Sequence, residues 1–197
     1  MNVINLFGSP GAAKSTIAGG LFWLMKCERL DVELVTEYAK YLVWAERIKM
    51  FEEQVYVFAK QNHKLEILKN KVEYAITDCP LLLSHVYAPD SMTPAFKEMV
   101  LDIFNGHNNI NIFVNRTVDY DPLGRYQTES EADIISKRIY ELLKQYDVPF
   151  IELDSARGAP FEIYERVTGK MLNVEDYSTE VLFGHRAKMQ DDGSFTN

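Results

Sequence analysis

Residues 3–16 read Val3-Ile4-Asn5-Leu6-Phe7-Gly8-Ser9-Pro10-Gly11-Ala12-Ala13-Lys14-Ser15-Thr16. An apolar run breaks into glycine, serine and proline and then resumes as helix-forming sequence, which predicts a strand, a loop and a helix in succession. The spacing Gly8-x-x-x-x-Ala13-Lys14-Ser15 meets the Walker A pattern at every position but one. A polyphosphate requires several converging backbone N–H groups, a helix N-terminus aimed at it and one mobile ammonium. Small residues from Gly8 through Ser9, Pro10, Gly11 and Ala12 to Ala13 let the main chain come that close. Lys14 is then placed to reach the β- and γ-phosphates of ATP, with Ser15, followed by Thr16, to hold the Mg²⁺ that bridges them. Ala13 stands where the pattern has glycine. Its methyl costs little where φ is negative and is strained where φ is positive, so binding that is intact, weakened or lost stays open at this point.

With 197 residues, 47% apolar and 12% aromatic, the chain can bury one good core, and one domain is expected over about residues 1–170. Residues 171–197 read as a C-terminal extension, acidic and partly disordered, in which 171–183 is a candidate docked segment. No stretch approaches the roughly 20 apolar residues of a membrane span, and the first residues lack the layout of a signal peptide. A cytoplasmic protein without a membrane partner is expected. Cys27 and Cys79 lack metal-ligand spacing and read as buried free thiols. A net charge of −8 argues against a broad, non-specific grip on nucleic acid and leaves room for a local basic cleft.

β-prone runs recur at 3–7, 32–36, 73–77, 110–114 and 149–153 with helical segments between them. This alternation predicts an α/β protein whose parallel sheet is covered on both faces. Thr93-Pro94 reads as an N-cap and first-turn proline, with Phe96, Met99, Val100, Ile103 and Phe104 on one helical face. Thr128 and Glu131 have capping-box spacing ahead of a second apolar stripe. A longer helix is expected from about Met50 to Leu68, with Phe51, Val55, Phe58 and Leu65 on its apolar side.

In an open parallel sheet ligands gather at the carboxyl ends of the strands. Asp78, after the third run, is placed to help hold Mg²⁺ beside Ser15, or else ends the strand as a turn residue before Pro80. Glu37, after the second run, lies on the acceptor side. A carboxylate there can take the proton of an attacking hydroxyl, or it pairs with Lys40 at a helix start. Arg116 and Arg125 flank a loop with proline and glycine, the layout of a lid at about 116–130 whose forked donors meet a transferring phosphoryl group. Pairing with Asp119, Asp121 or Glu129 is the competing reading. Tyr38, Tyr41 and Trp44, with Phe58 and Gln61, form a candidate slot for a nucleobase or part of the core.

On Gly8–Thr16, Val35-Thr-Glu-Tyr-Ala-Lys-Tyr-Leu-Val-Trp44, Thr77-Asp-Cys-Pro-Leu-Leu-Leu83 and Gly124-Arg-Tyr-Gln-Thr-Glu-Ser-Glu-Ala-Asp133, the chain resembles P-loop kinases of the thymidylate-kinase and deoxynucleoside-kinase group. It looks most like bacteriophage proteins related to 5-hydroxymethyluracil DNA kinases and, more distantly, like the ribosylnicotinamide kinase domain, over about residues 3–168. The resemblance implies a three-layer α-β-α P-loop fold with five parallel strands in the order 2-3-1-4-5 and a small lid. It implies the phosphate loop at Gly8–Thr16, a substrate-side acid at Glu37, an Mg²⁺-side acid at Asp78 and lid arginines at Arg116 and Arg125. The expected activity is ATP- and Mg²⁺-dependent phosphoryl transfer to a nucleotide-type acceptor, first of all 5-hydroxymethyluracil in phage DNA, a step in thymidine hypermodification within the host cytoplasm. A deoxynucleoside or its monophosphate is the alternative acceptor. An ATP-binding regulatory protein with a degraded Walker A is the alternative of another class, and a homodimer is compatible with either.

Overall fold

The computed structural model describes residues 1–121, 127–173 and Tyr177. Five strands, β1 (Asn2–Phe7), β2 (Val32–Val35), β3 (Tyr74–Thr77), β4 (Asn108–Asn115) and β5 (Ile151–Asp154), form one sheet in the order β2-β3-β1-β4-β5. All four pairings are parallel. Helices α1 (Lys14–Cys27), α2 (Tyr38–Trp44), α3 (Gln54–Glu66), α4 (Leu83–Tyr87), α5 (Pro94–Asn105), α6 (Glu129–Gln145) and α7 (Ala159–Thr168) connect and cover the strands. The central strand β1 leads straight into the phosphate loop, so the loop sits between the carboxyl ends of β3 and β4.

Alternation along β1 divides the core. Ile4 and Leu6 join Ile17, Leu21 and Leu24 of α1 and Ile163 and Tyr164 of α7 on one face. Val3 and Phe7 join Phe58, Phe96, Phe104 and Ile139 on the other. Asn5 interrupts that second face at 1% exposure and is satisfied there: its Nδ2 donates to Asn109 Oδ1 at 2.9 Å and Asn111 Oδ1 at 3.0 Å. Asn111 in turn donates to the Pro149 carbonyl at 3.0 Å. A buried amide left unpaired would cost about 1–3 kcal/mol, so this asparagine seam holds the β1–β4 register as well as stabilising it.

The local signals act as expected at two helix starts. Thr93 caps α5, accepting from Ala95 N–H at 3.2 Å, with Pro94 in its first turn. Thr128 and Glu131 form the capping box of α6. Three details differ from the sequence reading. The helix expected over 50–68 is a 3₁₀ turn, Ile48–Glu52, followed by α3, because Glu53 leaves helical geometry at φ −92°, ψ 62°. Val55 consequently faces solvent at 52% exposure. Cys27, expected to be buried, is exposed at the end of α1, whereas Cys79 is partly covered. Among the described residues no helix is long and apolar enough to cross a membrane.

Beyond α7 two of the described residues touch the core, whereas Met171 is exposed. Leu172 and Tyr177 pack on the α1–α7 core. The Tyr177 ring meets Trp23 at 5.8 Å and Phe161 at 5.7 Å, and its hydroxyl donates to Glu28.

Candidate functional site

The phosphate loop is built on two glycines in conformations closed to other residues. Gly8 has φ +138°, and a Cβ there would lie 2.5 Å from the Val114 carbonyl oxygen of β4. Gly11 has φ +87°, and its Cβ would lie 2.8 Å from the Tyr120 ring. Ser9 and Ala12 are buried beneath the loop. Ala13 caps α1 at φ 56°, ψ 19°, the left-handed conformation, so its methyl is strained; such a residue costs roughly 1–2 kcal/mol. No side chain caps α1, and its first turn carries no acidic residue, which leaves its N–H groups directed at the loop.

Lys14 folds back over this loop, its Nζ donating to the Gly8 carbonyl at 2.9 Å and the Ser9 carbonyl at 2.8 Å. Ser15 and Thr16 are exposed in the first turn of α1. After β3, the strand paired with β1, comes Asp78, which is only 7% exposed. Burial pushes its carboxyl above the usual aspartate value, opposed by the nearby Lys14 charge and by the Glu37 backbone N–H. That N–H donates to Asp78 Oδ1 at 3.1 Å. Asp78 therefore fastens the loop after β2 to the end of β3, with the Lys14 charge nearby.

Glu37 is partly buried at the N-cap of α2, with no side-chain cap of its own. Other residues satisfy that helix start: Asp78 takes the Glu37 N–H, and Gln61 Oε1 takes the Tyr38 N–H at 3.0 Å. Lys64 Nζ donates to the Thr36 carbonyl at 2.7 Å. The negative charge of Glu37 acts on Cys79 and on Tyr87. Burial, followed by the Glu37 charge, raises both the Cys79 thiol and the Tyr87 phenol, so both stay protonated around Glu37 at neutral pH.

Arg116, just after β4, is tied to the start of α6: it donates to Glu129 at 2.7 Å and Asp133 at 2.5 Å. Glu129 was a partner the sequence offered; Asp133 was not. The guanidinium also lies 5.6 Å from the centre of the Tyr120 ring, which covers Gly11. Arg116 is thus held beside the phosphate loop by two carboxylates. Arg125 and the centre of the expected lid lie outside the described residues.

The nucleobase slot divides. Phe58 is core, packed edge-on against Phe96 at 5.9 Å, and Gln61 is buried and committed to Tyr38. Tyr41 and Trp44 point outward at 56% and 62% exposure. The sequence reading also missed the loop after β5. Ser155 is buried, with its Oγ accepting from Thr117 N–H at 2.9 Å, and a cleft of about 510 Å³ opens there between Asn115, Asp154, Ala156 and Gly158. Its only sequence signal is the run Ser155-Ala156-Arg157-Gly158 after a strand, which carries no recognisable phosphate pattern.

Ser15, in the first turn of α1, and Asp78, after β3, are the residues the sequence offers for a cation, and both carry the hard oxygen donors that Mg²⁺ prefers. Among the described residues no group of three or more His, Cys, Asp or Glu side chains forms a self-sufficient metal site. Two protein ligands fit a Mg²⁺ completed by phosphate oxygens and water.

No protein-family model matches the chain, and no curated protein matches it. Solved structures do. NadR in complex with NR superposes with a TM-score of 0.63 at 13% identity, over 87% of this chain and 53% of that one. Deoxyadenosine kinase from M. mycoides with bound dATP gives 0.53 at 20% identity, over 85% of this chain and 99% of that one. The same kinase with bound dCTP gives 0.51 at 18% identity. This chain thus spans about half of the NadR chain and nearly the whole length of the deoxyadenosine kinase. At these identities the likeness establishes the fold: a five-stranded, all-parallel, P-loop kinase-like α/β architecture.

Proposed function

We propose that the protein is an ATP-dependent phosphotransferase acting on a hydroxyl of a nucleotide-type acceptor. The observation that carries this reading is the convergence at Asp78, where a buried carboxylate experiences the Lys14 charge on one side and receives the Glu37 N–H at 3.1 Å on the other. In this reading Lys14 is the phosphate cation, Asp78 the metal-side acid and Glu37 the acceptor-side acid.

In this reading the N–H groups of the Gly8–Ala13 loop and of the first turn of α1 bind the phosphates of ATP. Lys14 leaves its loop carbonyls for the β- and γ-phosphoryl oxygens. Ser15 and Asp78 would hold Mg²⁺, which would supply Lewis-acid neutralisation of phosphate charge. Glu37 orients the acceptor hydroxyl and takes its proton as the new P–O bond forms and the bond to the β-phosphate oxygen breaks, leaving ADP. Arg116, and Arg125 from the lid, stabilise charge on the transferring group. The cleft at Asn115 and Gly158 lies within the volume range of small-molecule sites and is assigned to the base of ATP.

The most specific acceptor proposed is 5-hydroxymethyluracil in phage DNA. A deoxynucleoside or its monophosphate is equally consistent, and the near full-length likeness to a deoxyadenosine kinase favours keeping it as a second reading. Offering γ-labelled ATP with hydroxymethyluracil-containing DNA, unmodified DNA and a panel of deoxynucleosides and monophosphates separates the two. Label confined to the modified DNA supports the base kinase, label in a small molecule supports the second reading, and label in none opposes both.

A further inference from the structure

We infer that the outward face of α2 and the adjoining face of α3 form a ledge that binds a single nucleic-acid strand through its bases and phosphates. Tyr38, Tyr41 and Trp44 follow one another at three-residue steps, which spaces them about 4.5 Å apart along the helix. Tyr38 and Tyr41 already stack, with centroids 5.8 Å apart and planes at 25°. Tyr56 closes edge-on against Tyr38 at 6.0 Å. The core does not need these rings, since Leu42 is the buried residue of α2. Tyr41 and Trp44 are instead more than half exposed, an unusual disposition for large aromatic side chains in sequence succession.

The charge around the rings identifies the ligand class. The chain as a whole is acidic, at −8, yet over residues 37–64 the five cations Lys40, Arg47, Lys49, Lys60 and Lys64 exceed the four acids Glu37, Glu46, Glu52 and Glu53. Two of these cations already lie against the rings: Lys60 Nζ is 5.4 Å from the Tyr56 centroid and Lys64 Nζ is 6.0 Å from that of Tyr38. A ligand that presents flat rings and repeated negative charge together suits this ledge, and a nucleic-acid strand with unpaired bases does so. A duplex hides its base faces and offers only groove edges and backbone, which stacked rings cannot engage. The ledge ends at Glu37, immediately before Tyr38, so a bound strand would pass one base to the acceptor side. That last step rests on the phosphotransferase reading, whereas binding to the ledge does not.

The test is fluorescence anisotropy of a labelled oligodeoxythymidylate of about ten nucleotides, the length an aromatic and cationic groove of this kind engages. The wild-type protein should bind with an affinity that falls as salt rises. The double variant Tyr41→Ala/Trp44→Ala should bind about tenfold or more weakly at an unchanged melting temperature. Lys60→Glu, which leaves Tyr41 and Trp44 in place, should weaken binding and flatten the salt dependence. Equal binding by the double variant, no binding by wild type at low salt, or equal binding of a duplex overturns the ledge. So does full competition by a mononucleotide, which would make it a slot for a small acceptor, or burial of Trp44 in a homodimer detected by sedimentation. Phosphoryl transfer assayed on the same proteins separates the two claims. Transfer without strand binding overturns the ledge alone, and strand binding without transfer overturns the phosphotransferase alone.

Discussion

Ala13 and Asp78 show what single residues cost and do at this site. Ala13 adopts φ 56°, where glycine is at ease and alanine is strained. Ala13→Gly relieves roughly 1–2 kcal/mol of strain and returns about 0.4–1 kcal/mol through greater freedom of the unfolded chain. The expected result is a net gain of about 0.5–1 kcal/mol in chemical denaturation, with phosphoryl transfer at least as fast as wild type. Asp78 behaves in the opposite sense. Its folded carboxyl is raised above the usual value, chiefly by burial, so the folded state holds the proton more tightly than the unfolded chain. Its ionisation therefore costs stability as pH rises through the folded value and costs nothing below the ordinary aspartate pKa of about 3.9. Asp78→Asn, whose side-chain oxygen still accepts the Glu37 N–H, should melt higher than wild type near neutral pH, with the difference closing in acid. The same variant should lose Mg²⁺-dependent transfer. A lower melting temperature at neutral pH would show that the carboxylate is retained for stability.

Among the elements, α2 depends on its neighbours for its start. It is short, buries a single residue and lacks a side-chain cap, and its first N–H groups are met by Asp78 and Gln61 from β3 and α3. Gln61→Leu leaves the Tyr38 N–H without that acceptor and should cost about 1–3 kcal/mol. Because α2 carries Glu37 at its cap, the variant should also slow transfer while leaving ATP affinity near wild type, as isothermal titration would show. This arrangement explains why part of the site was hard to read in sequence. Gln61 resembles a base-reading amide because its type and position suit one, and only the tertiary hydrogen bond reveals its structural work. The break at Glu53 was hidden for a related reason: apolar spacing continues through Phe51, Val55 and Phe58 although the backbone does not. By contrast, the caps at Thr93 and Thr128 are local chemistry and were legible directly.

At the scale of the whole molecule, the sheet order β2-β3-β1-β4-β5 puts the phosphate loop at the centre, with Asp78 and Glu37 to one side and Arg116 to the other. Much of this was legible because strands alternating with helices admit few arrangements and the loop motif marks the central strand. β4 was longer than the expected 110–114, since Asn108 and Asn109 look unlike strand residues until Asn108 is seen to donate to Asn2 of β1, and Asn109 to accept from Asn5 and donate to the Phe104 carbonyl. The cleft after β5 escaped notice because its lining, from Asn115 through Glu152, Leu153, Asp154 and Ala156 to Glu162, comes from separate elements and forms no motif in sequence. The acceptor is the least legible feature, since it depends on surface around Glu37 that many chemistries can share. The central claim, that Lys14 and its loop act in phosphoryl transfer, is tested by following label from γ-labelled ATP into the acceptor panel with wild type and Lys14→Ala. The account predicts transfer by wild type and a loss of about a hundredfold or more in the variant, with folding intact. Equal transfer by both proteins, or none by wild type, would contradict it.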